Sequence, residues 1–184
     1  MRILHLMHST AVGGVESAVA RLRTDLAARE HAADHSARAS GDPSTPVEYR
    51  VGVLADAEDG RRALEADAIG GGMNSPLAAL RLLRTMRRHR PDVLVTSLWR
   101  AVALGLLGRR RTTAWIVWVH NTRYTHALDA LVHRLALPRA DVVLCDSHAA
   151  AEEIVLPTLA GHATAPPVLL VRPEAAPLPV TAPA

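Results

Sequence analysis

Apolar positions along this chain switch repeatedly between two periods. Short unbroken runs have the length and branched composition of buried strands: "RILHLM", "DVLVTS", "TTAWIVWVH", "DVVLC" and "PPVLLV". "VEYRVGVLA" alternates apolar and polar residues and predicts a further strand. Between these runs the spacing becomes helical. Val15, Val19, Leu22 and Leu26 predict a helix over 15–30. Leu77, Leu80, Leu83 and Met86 form one predicted face of an amphipathic helix over 76–90, opposite Arg81, Arg84, Arg87 and Arg88, and Pro91 ends it. The largely apolar "LWRAVALGLLG" predicts a helix between sheet and neighbour, and residues 126–137 predict another. "DSHAAAEE" opens a last helix, with Asp146 or Ser147 as its cap and Glu152 and Glu153 on its surface. "AEDGRRALEAD" suggests a short helix, and "AIGGGMNSP" an irregular link with room for a minimal strand. Residues 35–46, rich in Ser, Gly and Pro, read as a surface loop.

Strand and helix alternate throughout, which predicts a doubly wound parallel α/β sheet covered on both faces. The 184 residues are expected to form a single domain over 1–172. Residues 173–184, rich in Pro and Ala, read as a tail or truncated linker.

Composition adds modest constraints. Apolar residues make up 49% of the chain, far too many for a disordered one. Phe is absent, so Leu, Val and Ala must fill the interior. All 21 basic residues are arginine in an alanine-rich chain, which reflects base composition more than a task that needs arginine. The net charge of +3 points to an anionic partner, either a phosphate or a membrane surface. Nucleic-acid binding would want interleaved aromatics, which are scarce here. The single Cys145 excludes an internal disulfide and fits a reducing compartment. The run "AVALGLLG" is far short of the roughly 20 residues a membrane span needs, and His5 and His8 interrupt the N-terminal apolar stretch. A soluble cytoplasmic domain is the expectation.

The first strand runs straight into Gly13-Gly14-Val15-Glu16 and a helix. In a parallel sheet, ligands collect beyond the carboxyl ends of the strands. Glycines there let backbone amides approach a phosphate, and the helix start adds partial positive charge. The spacing alone also suits a purely structural turn. It is not GxGxxG, and it lacks the lysine of a phosphate-binding P-loop.

Four segments in order carry a resemblance. "MRILHLMHSTAVGGVESAVARLRTDLAAREH", "RTMRRHRPDVLVTSLWRAVALGLLG", "WIVWVHNTR" and "LALPRADVVLCDSHAAAEEI" together resemble the N-terminal domain of family 4 glycosyltransferases over roughly residues 1–172. The resemblance implies a Rossmann-like, GT-B N-terminal domain on the acceptor side of a two-domain enzyme. It implies retaining hexosyl transfer from a nucleotide sugar to a carbohydrate or lipid-linked acceptor. In that frame Gly13 and Gly14 approach the donor pyrophosphate, and His120 is the catalytic candidate, facing the transferred sugar or the acceptor hydroxyl. Glu16 and Asn121 would contact acceptor or donor sugar. No metal or cofactor beyond the donor substrate is expected. A basic surface meeting an anionic bilayer, at the inner membrane face, is compatible with a lipid-linked acceptor.

The departures are equally definite. The basic pair and paired glutamates of the donor site belong to a C-terminal half that this sequence does not contain. This leaves three readings open: a split subunit that pairs with a C-terminal donor-domain protein, a truncated gene product, or a relic that only binds. Isolated catalysis should be weak or absent. A binding module without chemistry is the rival reading, and a flavodoxin-like cofactor domain a third. Taken alone, His120 suits a structural histidine at a strand end, and Trp115 and Trp118 suit packing. Cys145 suits a small buried apolar residue. His31 and His35, four apart, have no third ligand in sight for a metal.

Overall fold

The computed structural model describes residues 1–40, 46–57 and 61–171, residues 30–40 by their backbone only. The expectations for 173–184 and for the side chains of His31 and His35 lie outside the described residues.

Seven strands form one sheet: β1 (Arg2–Ser9), β2 (Glu48–Ala55), β3 (Ala68–Ile69), β4 (Val93–Ser97), β5 (Ala114–Val119), β6 (Val142–Cys145) and β7 (Val168–Leu170). Every pairing is parallel, in the order β3-β2-β1-β4-β5-β6-β7. The chain therefore moves one way from β1 and, on returning, the other way from β4. Right-handed crossovers in opposite directions place their helices on opposite faces. Accordingly α1 (Gly14–Ser40) packs Ala18 and Val19 with Met7, Val51, Val53 and Trp118 on one face. On the other face lie α2 (Pro76–His89), α3 (Trp99–Gly108) and α4 (Ala127–Ala136), joined there by Leu4, Leu6, Leu94 and Val117. The doubly wound parallel sheet is as the sequence predicts.

Trp115 anchors the larger core. It is fully buried, and its indole N–H donates to Thr96 Oγ1 at 3.0 Å. α3 can lie this close only because residue 105 is glycine, since a Cβ there would come within 2.8 Å of three atoms of the indole.

Three predicted elements are corrected. α1 continues to Ser40, so helix occupies the first part of the predicted 35–46 loop. The segment before β3 is not helical among its described residues. Instead it is drawn alongside the glycine turn: Arg62 bridges Ala11, Ala63 N–H donates to the Thr10 carbonyl at 2.8 Å, and Leu64 is buried under α1. Finally, α2 buries Ala78, Leu82 and Met86, while Leu77 and Leu80 are exposed. The face is rotated because the helix start presses against Gly70, where only a small side chain fits: a Cβ on Gly70 would stand 2.8 Å from that of Ala78. The ends of α2 follow the sequence. The Ser75 side chain accepts from Ala78 N–H, Pro76 opens the helix, and Arg90 turns left-handed at φ 48° before Pro91.

After β6, Ser147 caps a helical segment, accepting from Ala150 N–H at 3.1 Å. It runs as α5 (His148–Ala150), a π-helical stretch at Ala151–Val155, and α6 (Leu156–Leu159). Pro157 supplies no N–H, which accounts for the widened turn before it. No helix among the described residues is long and apolar enough to cross a membrane.

Candidate functional site

The reversal of strand order between β1 and β4 leaves a crevice outside the carboxyl ends of the central strands, where doubly wound sheets take ligands. The residues that emerge there are unusually polar for a core of Leu and Val. They fall into two groups.

The first group is the glycine turn. Gly13 caps α1, its carbonyl accepting from Ser17 N–H at 3.0 Å. The amides of the first helical turn then have no partner within the helix. Glu16 stands three residues after the cap and folds back over it, filling the space a Cβ on Gly13 would need. Its carboxylate also accepts from Ser9 Oγ at 3.3 Å and is largely buried, the favoured arrangement for an acid at a helix start. Gly14 differs: nothing lies within 4 Å of where its Cβ would be. The structure thus separates the two glycines. At Gly13 the space is taken by the chain's own Glu16 side chain, and Gly14 stands open. Beside this turn lies a crevice of about 880 Å³, lined by Ser9, Val12, Asp56, Ile69, Gly72 and Met73. One wall is fixed by Thr10, whose hydroxyl donates to Asp56 Oδ1 at 2.5 Å, and by the ion pair of Asp56 with Arg62.

The second group surrounds His120, just past β5. Its Nδ1 lies 3.2 Å from Asp146 Oδ2 beyond β6, and its Nε2 lies 3.2 Å from Ser97 Oγ at the end of β4. Ser97 also meets His5 Nε2 at 2.8 Å, and His5 Nδ1 meets the Tyr49 hydroxyl at 2.8 Å. Trp118 lies between the two histidines, 5.9 Å from His5 and 4.7 Å from His120 between ring centroids. Burial, with His120 nearby, pushes His5 down to about 3, so it is neutral at pH 7. Asn121 and His120 share a small cavity with Arg123, Tyr124 and Asp129, with room for about one water. Leu98, at the entry to α3, borders it in a rare backbone conformation, φ 70° and ψ 149°, of the kind that gathers at functional sites.

Asp129 is a buried part of this wall. Burial pushes its pKa up, but His133 at 2.8 Å and the Thr125 hydroxyl and amide hold the carboxyl down to about 2. Near the end of β1 His8 accepts from Arg100 N–H at 3.1 Å. Burial and the Arg100 charge lower it to about 4. Cys145 is buried and its thiol is pushed up to about 11 by burial and by Asp146, so it is no nucleophile at neutral pH.

The predicted residues therefore sit in two places: Gly13, Gly14 and Glu16 beyond β1, His120 and Asn121 beyond β5. β4 lies between them, a span of about 10 Å at the usual strand spacing. The structure adds His5, Ser97, Asp146 and Tyr49 around His120. His5 was detectable, since a histidine inside an otherwise buried strand must be hydrogen-bonded. Ser97, Asp146 and Tyr49 come from separate segments, and nothing in local spacing joins them. Among the described residues, no three His, Cys, Asp or Glu side chains are placed to hold a metal ion.

A family model described as the glycosyl transferase 4-like domain matches residues 13–161. No curated protein matches the chain. Among solved structures, UDP-N-acetylglucosamine 2-epimerase from Rickettsia bellii is similar with a TM-score of 0.59 and 8% identity, over 92% of this chain and 44% of its own. Sucrose-phosphate synthase from Thermosynechococcus elongatus follows at 0.57 and 15%, over 93% and 47%. HepE from Anabaena, solved in complex with UDP-glucose, gives 0.54 and 18%, over 92% and 43%. At these identities the likeness is one of fold, and this chain spans less than half of each of those proteins.

Proposed function

Since this chain belongs to the glycosyl transferase 4-like family, we propose that it is the N-terminal, acceptor-side half of a glycosyltransferase that moves a hexose from a nucleotide sugar to a carbohydrate or lipid-linked acceptor. Transfer develops positive charge on the sugar and negative charge on the departing phosphate. The open space beside Gly14, at the positive end of α1, suits one side of that phosphate. Glu16 and Asn121 flank the sugar or acceptor, and His120 faces the transferred group. The acceptor enters by the crevice beside the glycine turn. The rest of the donor site belongs to a C-terminal donor-binding half. A peripheral contact with the inner membrane face fits a lipid-linked acceptor. The family match does not favour the rival reading of a binding module without chemistry.

The observation that carries this reading is that the family match begins at Gly13 and spans the polar strand ends on both sides of the switch point. The complex of HepE with UDP-glucose supplies the probe. Nucleotide release from UDP-glucose is measured with this chain, a donor-half protein, and both together. Release should require both. Loss of a positioned polar group is expected to lower it on the order of 100-fold in His120→Ala, while Gly14→Ala, which has space for its methyl, should fold normally and weaken donor binding. Activity untouched in His120→Ala would remove that residue from the site.

A further inference from the structure

Five side chains from five successive stations of the sheet touch in a line on the α1 side. Tyr49 is on β2, His5 on β1, Ser97 on β4, His120 follows β5 and Asp146 follows β6. The four contacts are 2.8, 2.8, 3.2 and 3.2 Å. A line of groups that each donate and accept can order its protons in either direction, and one end fixes which. Here the end is decided by charge. A carboxylate only accepts, so His120 must present an N–H at Nδ1. In the neutral ring Nε2 is then a lone pair and accepts a hydrogen bond from the Ser97 hydroxyl. Ser97 Oγ in turn receives the Nε2–H of His5, and His5 Nδ1 receives the Tyr49 hydroxyl.

We propose that Asp146, Ser97 and His5 are positioning residues that hold the neutral ring of His120 in its Nδ1–H tautomer, through one proton order running from Tyr49 to Asp146. The two histidines thereby carry opposite tautomers, and neither changes alone. A proton added at His120 Nε2 displaces the Ser97 hydroxyl proton toward His5. His5 can accept that hydrogen bond only as its Nδ1–H tautomer, which donates to the Tyr49 oxygen and turns the Tyr49 hydroxyl proton away. The groups that face His120 are Asp146, His5 and Ser97, with Arg123, Tyr124, Asp129 and His133 around the cavity. A ligand hydroxyl that reaches Nε2 has to take the place of Ser97.

This deepens the reading of His120 given above, and the two fail separately. Nitrogen-15 NMR of the histidine-labelled full chain at pH 7 reads the tautomers without any substrate. His120 is expected protonated at Nδ1 and His5 at Nε2. In Asp146→Asn the amide can donate or accept, so both histidines should lose their single tautomer and shift by the same fraction. In Ser97→Ala, His120 should keep Nδ1–H while His5 loses its lock. A His120 protonated at Nε2 in the native chain, or no shift at either ring in Asp146→Asn, overturns the proposal. So does a shift at His120 with none at His5. Nucleotide release, by contrast, tests only whether His120 meets the sugar.

Discussion

Acidification from pH 7 to pH 5 should weaken this fold, and His5 makes the effect traceable. In the native state its pKa is about 3, lowered first by burial and then by His120, against 6.5 for an ordinary histidine. The folded value lies below the unfolded one, so the unfolded chain binds more protons. Stability is therefore fully present above pH 6.5 and drains away as pH falls from there toward 3. At pH 5 the unfolded histidine is about 1.5 units past its midpoint while the native one is still neutral, which amounts to about 2 kcal/mol at 1.36 kcal/mol per unit. His8, lowered to about 4, adds a comparable loss in the same window. Urea unfolding of native chain and His5→Gln at both pH values isolates the first contribution. Glutamine can still donate to Ser97 but does not titrate. The native chain should lose about 2 kcal/mol more than His5→Gln between the two pH values. Equal losses would refute the assignment of a buried neutral imidazole at position 5.

Two further predictions concern the scaffold. Alanine in place of a mid-helix glycine ordinarily stabilises by about 1 kcal/mol, but Gly105→Ala sets a methyl 2.8 Å from the Trp115 indole. Overpacking of that kind costs about 1–3 kcal/mol, so a net loss of stability in thermal melts is expected, along with altered tryptophan fluorescence. Asp129→Asn should lower stability at pH 7 by about 2 kcal/mol, because it removes a carboxylate held at about 2 by His133 and Thr125 despite its burial. That contribution is present above pH 3.8 and is lost as pH falls toward 2. Urea titration of the variant against the native chain should therefore converge at low pH.

Much of this architecture was legible in the chain's alternation of periods. The strands "DVLVTS" and "DVVLC" could hardly be read otherwise, and Ser75-Pro76 with Pro91 fixed the ends of α2. What periodicity did not resolve was contact across the sheet. The face of α2 followed from Gly70 and Ala78 meeting closely, which no helical spacing of leucines encodes. The stretch before β3 looked helical because Ala63, Leu64 and Ala66 favour helix, yet the Thr10 carbonyl and Ala11 offered it backbone partners instead. At the candidate site, the glycine turn and His120 were marked by motif. The surroundings of His120 were not, since Tyr49, His5, Ser97 and Asp146 are separated by tens of residues and meet only once the strands are in order.

The line of polar groups from Tyr49 to Asp146 has a mechanical side as well. Side chains on a strand alternate faces, so sliding β1, β4 or β5 by a single residue would carry its member to the wrong side and open two gaps at once, and sliding β2 or β6 would open one. In a sheet otherwise built from interchangeable Leu and Val, the row works like a dowel driven crosswise through planks. It makes one alignment of the strands cheaper than its neighbours, and it does so at the edge where a bound sugar would feel any slippage first.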